Sequence, residues 1–365
     1  MAGMADIGRT PYPPPMNNTK AYAAFNATMP LKPFGFDRRS VGPNDVKLEI
    51  LYSGVCHSDL HQARNDWKSS TYPMVPGHEI VGRVTEIGRE VTKFKVGDLA
   101  GGGVFVDSCR TCANCQQDLE QYCLNALSLT YNGLEQDGKT VTQGGYSTQI
   151  VTDEHYTLSV SDKLSLPGVA PLLCAGITTY SPLRHWKVGP NSKVGVVGLG
   201  GLGHMALKFA AAFGADVTLF STSESKRADA EKLGAAHFCN TKDPENFKAL
   251  ANKLDFIIDT VAAPHDHAPY LSTLSLDGVL CNVGLPSEPM SIPVFSLLGQ
   301  RRSLSSSGIG GIKETQEMLD YCAEKGITAD VEMITMDQVN EAFTRMEKND
   351  VKYRFVIDMA SLKGA

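Results

Sequence analysis

Four cysteines, Cys109, Cys112, Cys115 and Cys123, stand in one short stretch with the spacing C-x2-C-x2-C-x7-C. Thiolates spaced this way let a single loop wrap one tetrahedral metal. Zinc favours four of them in closed structural sites, with no position left for water or substrate. Disulfides are the competing use, but cysteines so near in sequence pair poorly, and nothing else suggests a secreted chain. An iron–sulfur cluster or free thiols are the remaining uses. The expectation is a structural zinc loop, which holds a segment in place and leaves the chemistry to other residues.

Those residues are scattered. Cys56-His57-Ser58-Asp59-Leu60-His61 packs ligand and hydroxyl types together, Pro76-Gly77-His78-Glu79 puts a histidine on a tight turn, and Cys174 follows Pro171-Leu172-Leu173. Alone, Cys174 would read as a core residue and His78-Glu79 as surface. Taken together, two thiolates, a neutral imidazole and Zn2+ sum to zero charge, which points to a second metal site with an open fourth position.

A third pattern suits phosphates. The strand-like run Lys193–Val197 leads into Gly198-Leu199-Gly200-Gly201-Leu202-Gly203 and then a helical stretch. A lone G-x-G-x-x-G is weak, but strand before and helix after is the context that a dinucleotide site requires. Gly198 allows the tight turn, Gly200 admits a pyrophosphate, and Gly203 lets the helix pack on the strand. The helix start adds free N–H groups for the phosphates. At the tip of the next strand NAD sites carry an acid for the ribose 2′-OH. Here Ser221-Thr222-Ser223 stand, followed by Lys226 and Arg227. Hydroxyls and cations suit a 2′-phosphate, so NADP(H) is expected. Glu224 lies near enough to turn toward the ribose instead, and a solvated helix start would also explain Lys226 and Arg227.

These groups need a scaffold. From Lys20 to about Leu173 short Val-, Ile- and Tyr-rich runs (Val46–Tyr52, Ile80–Ile87, Tyr146–Val151) alternate with Gly and Pro, which reads as mostly β. From Lys193 to about Val283 strands alternate with helices: strands Lys193–Val197, Asp216–Phe220, Asp255–Thr260 and Val279–Val283, helices Leu202–Phe213 and Ser225–Leu233. That alternation argues for a parallel sheet with crossover helices. Glu314–Glu324 and Gln338–Glu347 read as helices and Tyr353–Ile357 as a closing strand. The fold class is α/β.

The 365 residues, 42% hydrophobic and 20% charged, are ordinary globular composition and suggest about two domains. The net charge of −6 is spread along the chain without a basic stripe, which argues against nucleic acid. Nine cysteines, mostly single, fit a reducing compartment. The N-terminus carries Pro11, Pro13, Pro14 and Pro15 and no basic-then-apolar leader, so residues 1–19 are expected to be a loose tail. The most apolar stretch, Val194 to Phe220, is broken by His204, Lys208 and Asp216, so no membrane span is expected and the cytoplasm is the default location.

With Gly54-Val55-Cys56-His57-Ser58-Asp59, Val75-Pro76-Gly77-His78-Glu79, the four-cysteine loop, Gly198 to Gly203, and Tyr353-Arg354-Phe355-Val356-Ile357-Asp358 in this order, the chain resembles the zinc-dependent medium-chain dehydrogenase/reductases from about Lys20 to Leu362. It looks most like their cinnamyl-alcohol-dehydrogenase-like branch, with its broad-range aldehyde reductases. The resemblance implies a GroES-like β-barrel catalytic domain at 20–173 and 312–365, a Rossmann doubly wound sheet at 174–311, and a homodimer. It implies that Cys56, His78 and Cys174 are catalytic zinc ligands, with Glu79 a neighbouring carboxylate able to enter the coordination shell. It makes the four-cysteine loop the second zinc site. It also implies that Ser58 begins a proton relay continued by His61 with the cofactor ribose, with Asp66 further out. Thr178 and the loop Ser305–Gly310, including Ser307 and Ile309, match cofactor-contacting positions.

The expected activity is reversible hydride transfer between NADP(H) and an aldehyde or primary alcohol, aromatic or aliphatic. Gly308 stands where lignin-type relatives carry Phe, and Leu129 aligns with a Trp, so the pocket is expected to be permissive. Reduction of conjugated C=C or C=N bonds on the same scaffold is the first rival. Ser58 and His61 speak against it. A zinc-ribbon binding module is the non-enzymatic rival, disfavoured by the acidic balance and the glycine turn.

Overall fold

The computed structural model describes residues 18–286 and 288–363. The expected tail, 1–19, falls almost wholly outside them. Its last two residues do not behave as a tail. Thr19 opens the strand Thr19–Ala23, paired antiparallel with Lys32–Phe36, and the Asn18 backbone N–H donates to Asp37 Oδ1 at 2.8 Å.

One sheet runs in the order His237–Asn240, Asp216–Ser221, Lys193–Val197, Leu254–Asp259, Leu274–Asn282, Ser303–Ser306, every pair parallel. This is the doubly wound 3-2-1-4-5-6 order, whose switch point lies beside Lys193–Val197. Its inner strands Asp216–Ser221, Lys193–Val197 and Leu254–Asp259 are rich in buried apolar residues because both faces are covered. Val194, Val196, Leu219, Ile257 and Ile258 are all fully buried. The second sheet is antiparallel for the most part. Asp45–Val55 pairs with Ile80–Ile87, with Gln149–Asp153 and with Arg354–Asp358, and Val331–Thr335 lies outside the last of these. The chain therefore leaves this sheet, builds the parallel one, and returns to finish the first through the helix Ile312–Lys325.

Three expected elements take a different form, and two strands form that the sequence did not announce. Tyr146–Val151 is shifted to Gln149–Asp153, because the Tyr146 N–H is taken by the Pro76 carbonyl at 2.9 Å before the chain enters the sheet. Ser225–Leu233 is a 3-10 turn, Glu224–Lys226, followed by a short helix, Arg227–Lys232. Val279–Val283 starts earlier and ends sooner, at Leu274–Asn282. The strands His237–Asn240 and Ser303–Ser306 carry too few apolar residues to signal themselves and form by pairing at the two sheet edges.

Candidate active site and dinucleotide turn

Cys56 follows the strand Asp45–Val55 and caps the helix His57–Ala63. His78 and Glu79 precede the adjacent strand Ile80–Ile87. Cys174 caps the helix Ala175–His185. Antiparallel pairing brings the first two segments together, and packing of the helix brings the third. One ligand atom from each of Cys56, His78, Glu79 and Cys174 lies within 4.8 Å of all the others, and all four residues are buried. The two thiols are 3.9 Å apart. Among the described residues no disulfide forms. Cys56 is held well below the usual thiol range, first by its contact with Cys174, then by the nearby Arg354 and His78. Glu79 is pushed up to about 8 by burial, against the pull of Arg354. Its Oε1 pairs with Arg354 Nη2, while its Oε2 is buried without a partner. Two thiols, an imidazole nitrogen and an orphaned carboxylate oxygen around one point are a donor set that fits zinc.

Two residues that the sequence reading left without a role support this set. Asp59 is fully buried. Its carboxylate accepts the Cys56 N–H at 2.9 Å, the Gly77 N–H at 3.0 Å and the Tyr146 hydroxyl at 3.0 Å, and it lies 3.1 Å from His78 Nδ1. It thus orients the histidine and ties both ligand-bearing turns together, as carboxylates behind metal-binding imidazoles do. The signal was its place at the third position of the helix opened by Cys56. Arg354, buried on the returning strand, reaches from Glu79 to the glycine turn, where a Cβ on Gly201 would come within 2.8 Å of its Cδ.

Ser58 Oγ lies 3.6 Å from Cys56 Sγ. His61 faces Asp66, Nδ1 to Oδ2 at 2.8 Å, beside the ring of Trp67. Thr178 is buried one turn beyond Cys174, its N–H bonded to the Cys174 carbonyl at 2.9 Å. Gly308 faces open space bounded by Tyr122, whose hydroxyl accepts the Gly308 N–H at 3.2 Å. An aromatic ring therefore stands beside the position where the sequence reading had only a missing wall. Leu129 is part-exposed, ending the strand Leu127–Leu129. Ser306 Oγ donates to the Asn282 carbonyl at 2.8 Å, and Ile309 sits at φ 41° between Gly308 and the buried Gly310.

Gly198 adopts φ +87°, a conformation in which a side chain would be strained, and a Cβ on Gly203 would strike the Gly198 carbonyl. Around Gly200 nothing would meet a Cβ within 4 Å, which leaves room for a pyrophosphate. Leu199 and Leu202 pack to either side. Lys226 folds back onto this turn, Nζ to the Leu199 carbonyl at 2.9 Å, and Ser221 Oγ accepts the Ser223 N–H at 3.2 Å. Thr222 is exposed beside them. Glu224 points elsewhere, bound to Arg227 at 2.5 Å and to Asn240 at 3.3 Å.

The sulfurs of Cys109, Cys112, Cys115 and Cys123 also gather within 4.8 Å of one another. Backbone N–H groups point at them, Cys112 N to Cys109 Sγ and Leu124 N to Cys112 Sγ, both at 3.4 Å. Such contacts pull the Cys109 thiol down to about 5, led by the Thr111 and Cys112 amides. The loop docks on the returning helix: Glu120 Oε2 accepts the Ile312 N–H at 3.2 Å and Asp118 pairs with Lys313 at 3.0 Å.

Comparison with known proteins agrees with this geometry. Residues 42–162 match the alcohol dehydrogenase GroES-like domain, and residues 201–324 match the zinc-binding dehydrogenase domain. The chain is 55% identical over 349 residues to the NADP-dependent alcohol dehydrogenase C 1 of Mycolicibacterium smegmatis, covering 95% of this chain and 100% of that one. It is 54% identical over 345 residues to the aldehyde reductase YahK of Escherichia coli, covering 94% and 99%. A cinnamyl alcohol dehydrogenase from Sorghum bicolor superposes with a TM-score of 0.91 at 46% identity, over 94% of this chain and 98% of that one. The chain belongs to the zinc-binding alcohol dehydrogenases, a GroES-like domain joined to a Rossmann-type domain.

Proposed function

We propose that this protein is an NADP(H)-dependent zinc alcohol dehydrogenase acting chiefly as an aldehyde reductase of broad aromatic and aliphatic range. The observation that carries the reading is the convergence of Cys56, His78, Glu79 and Cys174 on one buried point. When bound, zinc supplies Lewis acidity and the nicotinamide supplies hydride. The chain's own residues do the rest. Cys56, His78 and Cys174 hold the metal, with Glu79 in reserve behind them. Ser58 Oγ holds a proton at the edge of the thiol pair, and His61, paired with Asp66, exchanges protons with solvent.

Gly198, Leu199, Gly200, Gly201, Leu202 and Gly203 cradle the pyrophosphate, and Thr178, Ser307 and Ile309 border the nicotinamide. Ser221, Thr222, Ser223 and Lys226 receive the 2′-phosphate. The turning of Glu224 toward Arg227 and Asn240 supports NADPH over NADH. The four-cysteine loop holds a second zinc. The open space at Gly308 supports a permissive pocket. The separation of the chain into two main sheets supports its division at 173/174 and 311/312.

The reading extends to a homodimer in the cytoplasm. Val294, Phe295 and Leu298 are exposed just before the edge strand Ser303–Ser306, an apolar surface beside an unpaired edge. Among the described residues no helix is long and apolar enough to cross a membrane.

The test is oxidation of NADPH, with NADH in parallel, across aliphatic, aromatic and cinnamyl aldehydes by protein carrying two zincs at the cysteine-bearing sites. Fast NADPH turnover on several aldehydes is the expected result. Silence on all of them, with turnover of conjugated C=C or C=N substrates, would replace this reading with the rival one.

A further inference from the structure

A third set of ligand-type side chains gathers away from both cysteine clusters. Asp259, His265 and His267 each place a ligand atom within 4.8 Å of the other two. Asp259 ends the strand Leu254–Asp259 and is fully buried. The chain then turns back over it. The Val261 N–H donates to Asp259 Oδ1 at 3.0 Å, while His265 Nε2 lies 2.9 Å and His267 Nε2 3.2 Å from Oδ2. The two rings lie 4.2 Å apart.

His265 Nδ1 lies 2.9 Å from the Ala263 carbonyl, which can only accept, so Nδ1 carries the proton. In neutral imidazole Nε2 is then a bare lone pair, and it faces a carboxylate. Two acceptors at that distance need a cation between them, either a second proton on the ring or a metal. His267 separates these cases. It is 4% exposed and neither ring nitrogen has a hydrogen-bond partner, although Nε2 lies 3.2 Å from the same oxygen. A proton on His265 leaves this buried ring unmatched, at a cost in desolvation. A metal satisfies all three groups. Ligating histidines commonly donate their other N–H to a backbone carbonyl, as His265 does. Zinc–nitrogen and zinc–oxygen bonds of about 2.0–2.2 Å put neighbouring tetrahedral ligands roughly 3.3 Å apart, near the spacings seen here.

We infer that Asp259, His265 and His267 form a third divalent-metal site of the zinc type, its remaining coordination open to the adjoining cavity. That cavity, of about 480 Å³, is lined by His265, His267, Asp266 and Asn282, with Met290 and Pro293 opposite. The site fastens the loop after the central strand. Val261 of that loop packs beside Gly198, where a Cβ would come within 2.7 Å of it.

The test uses the full chain purified with zinc. Metal content is expected at three equivalents per chain in the native protein and two in His267→Asn, the cysteine-bound pair being retained. In calorimetric titration of zinc into two-zinc protein, the variant should bind at least roughly tenfold more weakly than the native chain. A native protein that takes up no third equivalent, or a variant that takes it up equally, overturns the site. A second measurement is independent of the variant's folding. Carbethoxylation of His265 in native protein, mapped by mass spectrometry, should be suppressed by added zinc, and equal modification with and without zinc overturns the proposal.

Discussion

Asp59 concentrates more of the candidate active site than any single ligand does, because one buried carboxylate meets three donors and an imidazole. Asp59→Asn replaces one acceptor oxygen by an NH2 that must face donors. The expected outcome is about a 10–100-fold loss of zinc affinity at that site, with the four-cysteine loop still loaded, read by chelator competition and metal content. Ser58→Ala leaves the donor set intact and removes only a hydroxyl. Turnover should fall about a hundredfold at unchanged metal content, and unchanged turnover would remove Ser58 from the mechanism. Lys226→Glu puts an acid against the glycine turn. The ratio of NADPH to NADH activity should drop by at least about tenfold, roughly 1.4 kcal/mol, in parallel kinetics with the two cofactors.

The helix Gly203–Ala212 shows how an element carries its own pH dependence. His204 sits in its first turn, fully buried, stacked on Tyr353 at 4.9 Å. Burial, with Lys208 and Arg354 nearby, pushes its pKa from 6.5 down to about 3. Between those values the unfolded chain takes up a proton that the folded chain refuses. The stability is therefore fully present above about pH 6.5 and is lost as pH falls toward 3. At pH 5 the loss is on the order of 2 kcal/mol. His204→Phe keeps the stack and removes the titration. Its unfolding free energy in urea should fall less between pH 7 and pH 5 than that of the native chain. The four-cysteine loop is an element placed by its contacts, with Glu120 and Asp118 holding it against the start of Ile312–Lys325.

At the scale of the whole molecule, the surface beside Ser303–Ser306 is where the proposed dimer would form. Phe295 is 85% exposed, and Arg302 ties its short helix to the edge strand through the Ser296 carbonyl at 2.9 Å. A large aromatic left in water at an unpaired sheet edge is expected to be covered by a second copy. Phe295→Arg should convert a dimer to a monomer in size-exclusion chromatography with light scattering, without loss of secondary structure.

The sequence by itself determined the family, the β-then-α/β organisation, the glycine turn and the identity of the metal-type residues. Each of these is local: a spacing of cysteines, a strand followed by G-x-G-x-x-G, a Cys or His at a turn. Which distant groups meet was decided by the tertiary structure. Asp59 and Arg354 lay inside motifs already marked, yet their partners come from strands that are neighbours only after Asp45–Val55 pairs on both sides. The direction of Glu224 depends on Asn240, at the end of a strand that no periodicity announced. Tyr122 beside Gly308, and the two histidines over Asp259, likewise depend on where loops cross. A side chain's type is written in the chain, whereas its partner is set by which backbone segments share hydrogen bonds.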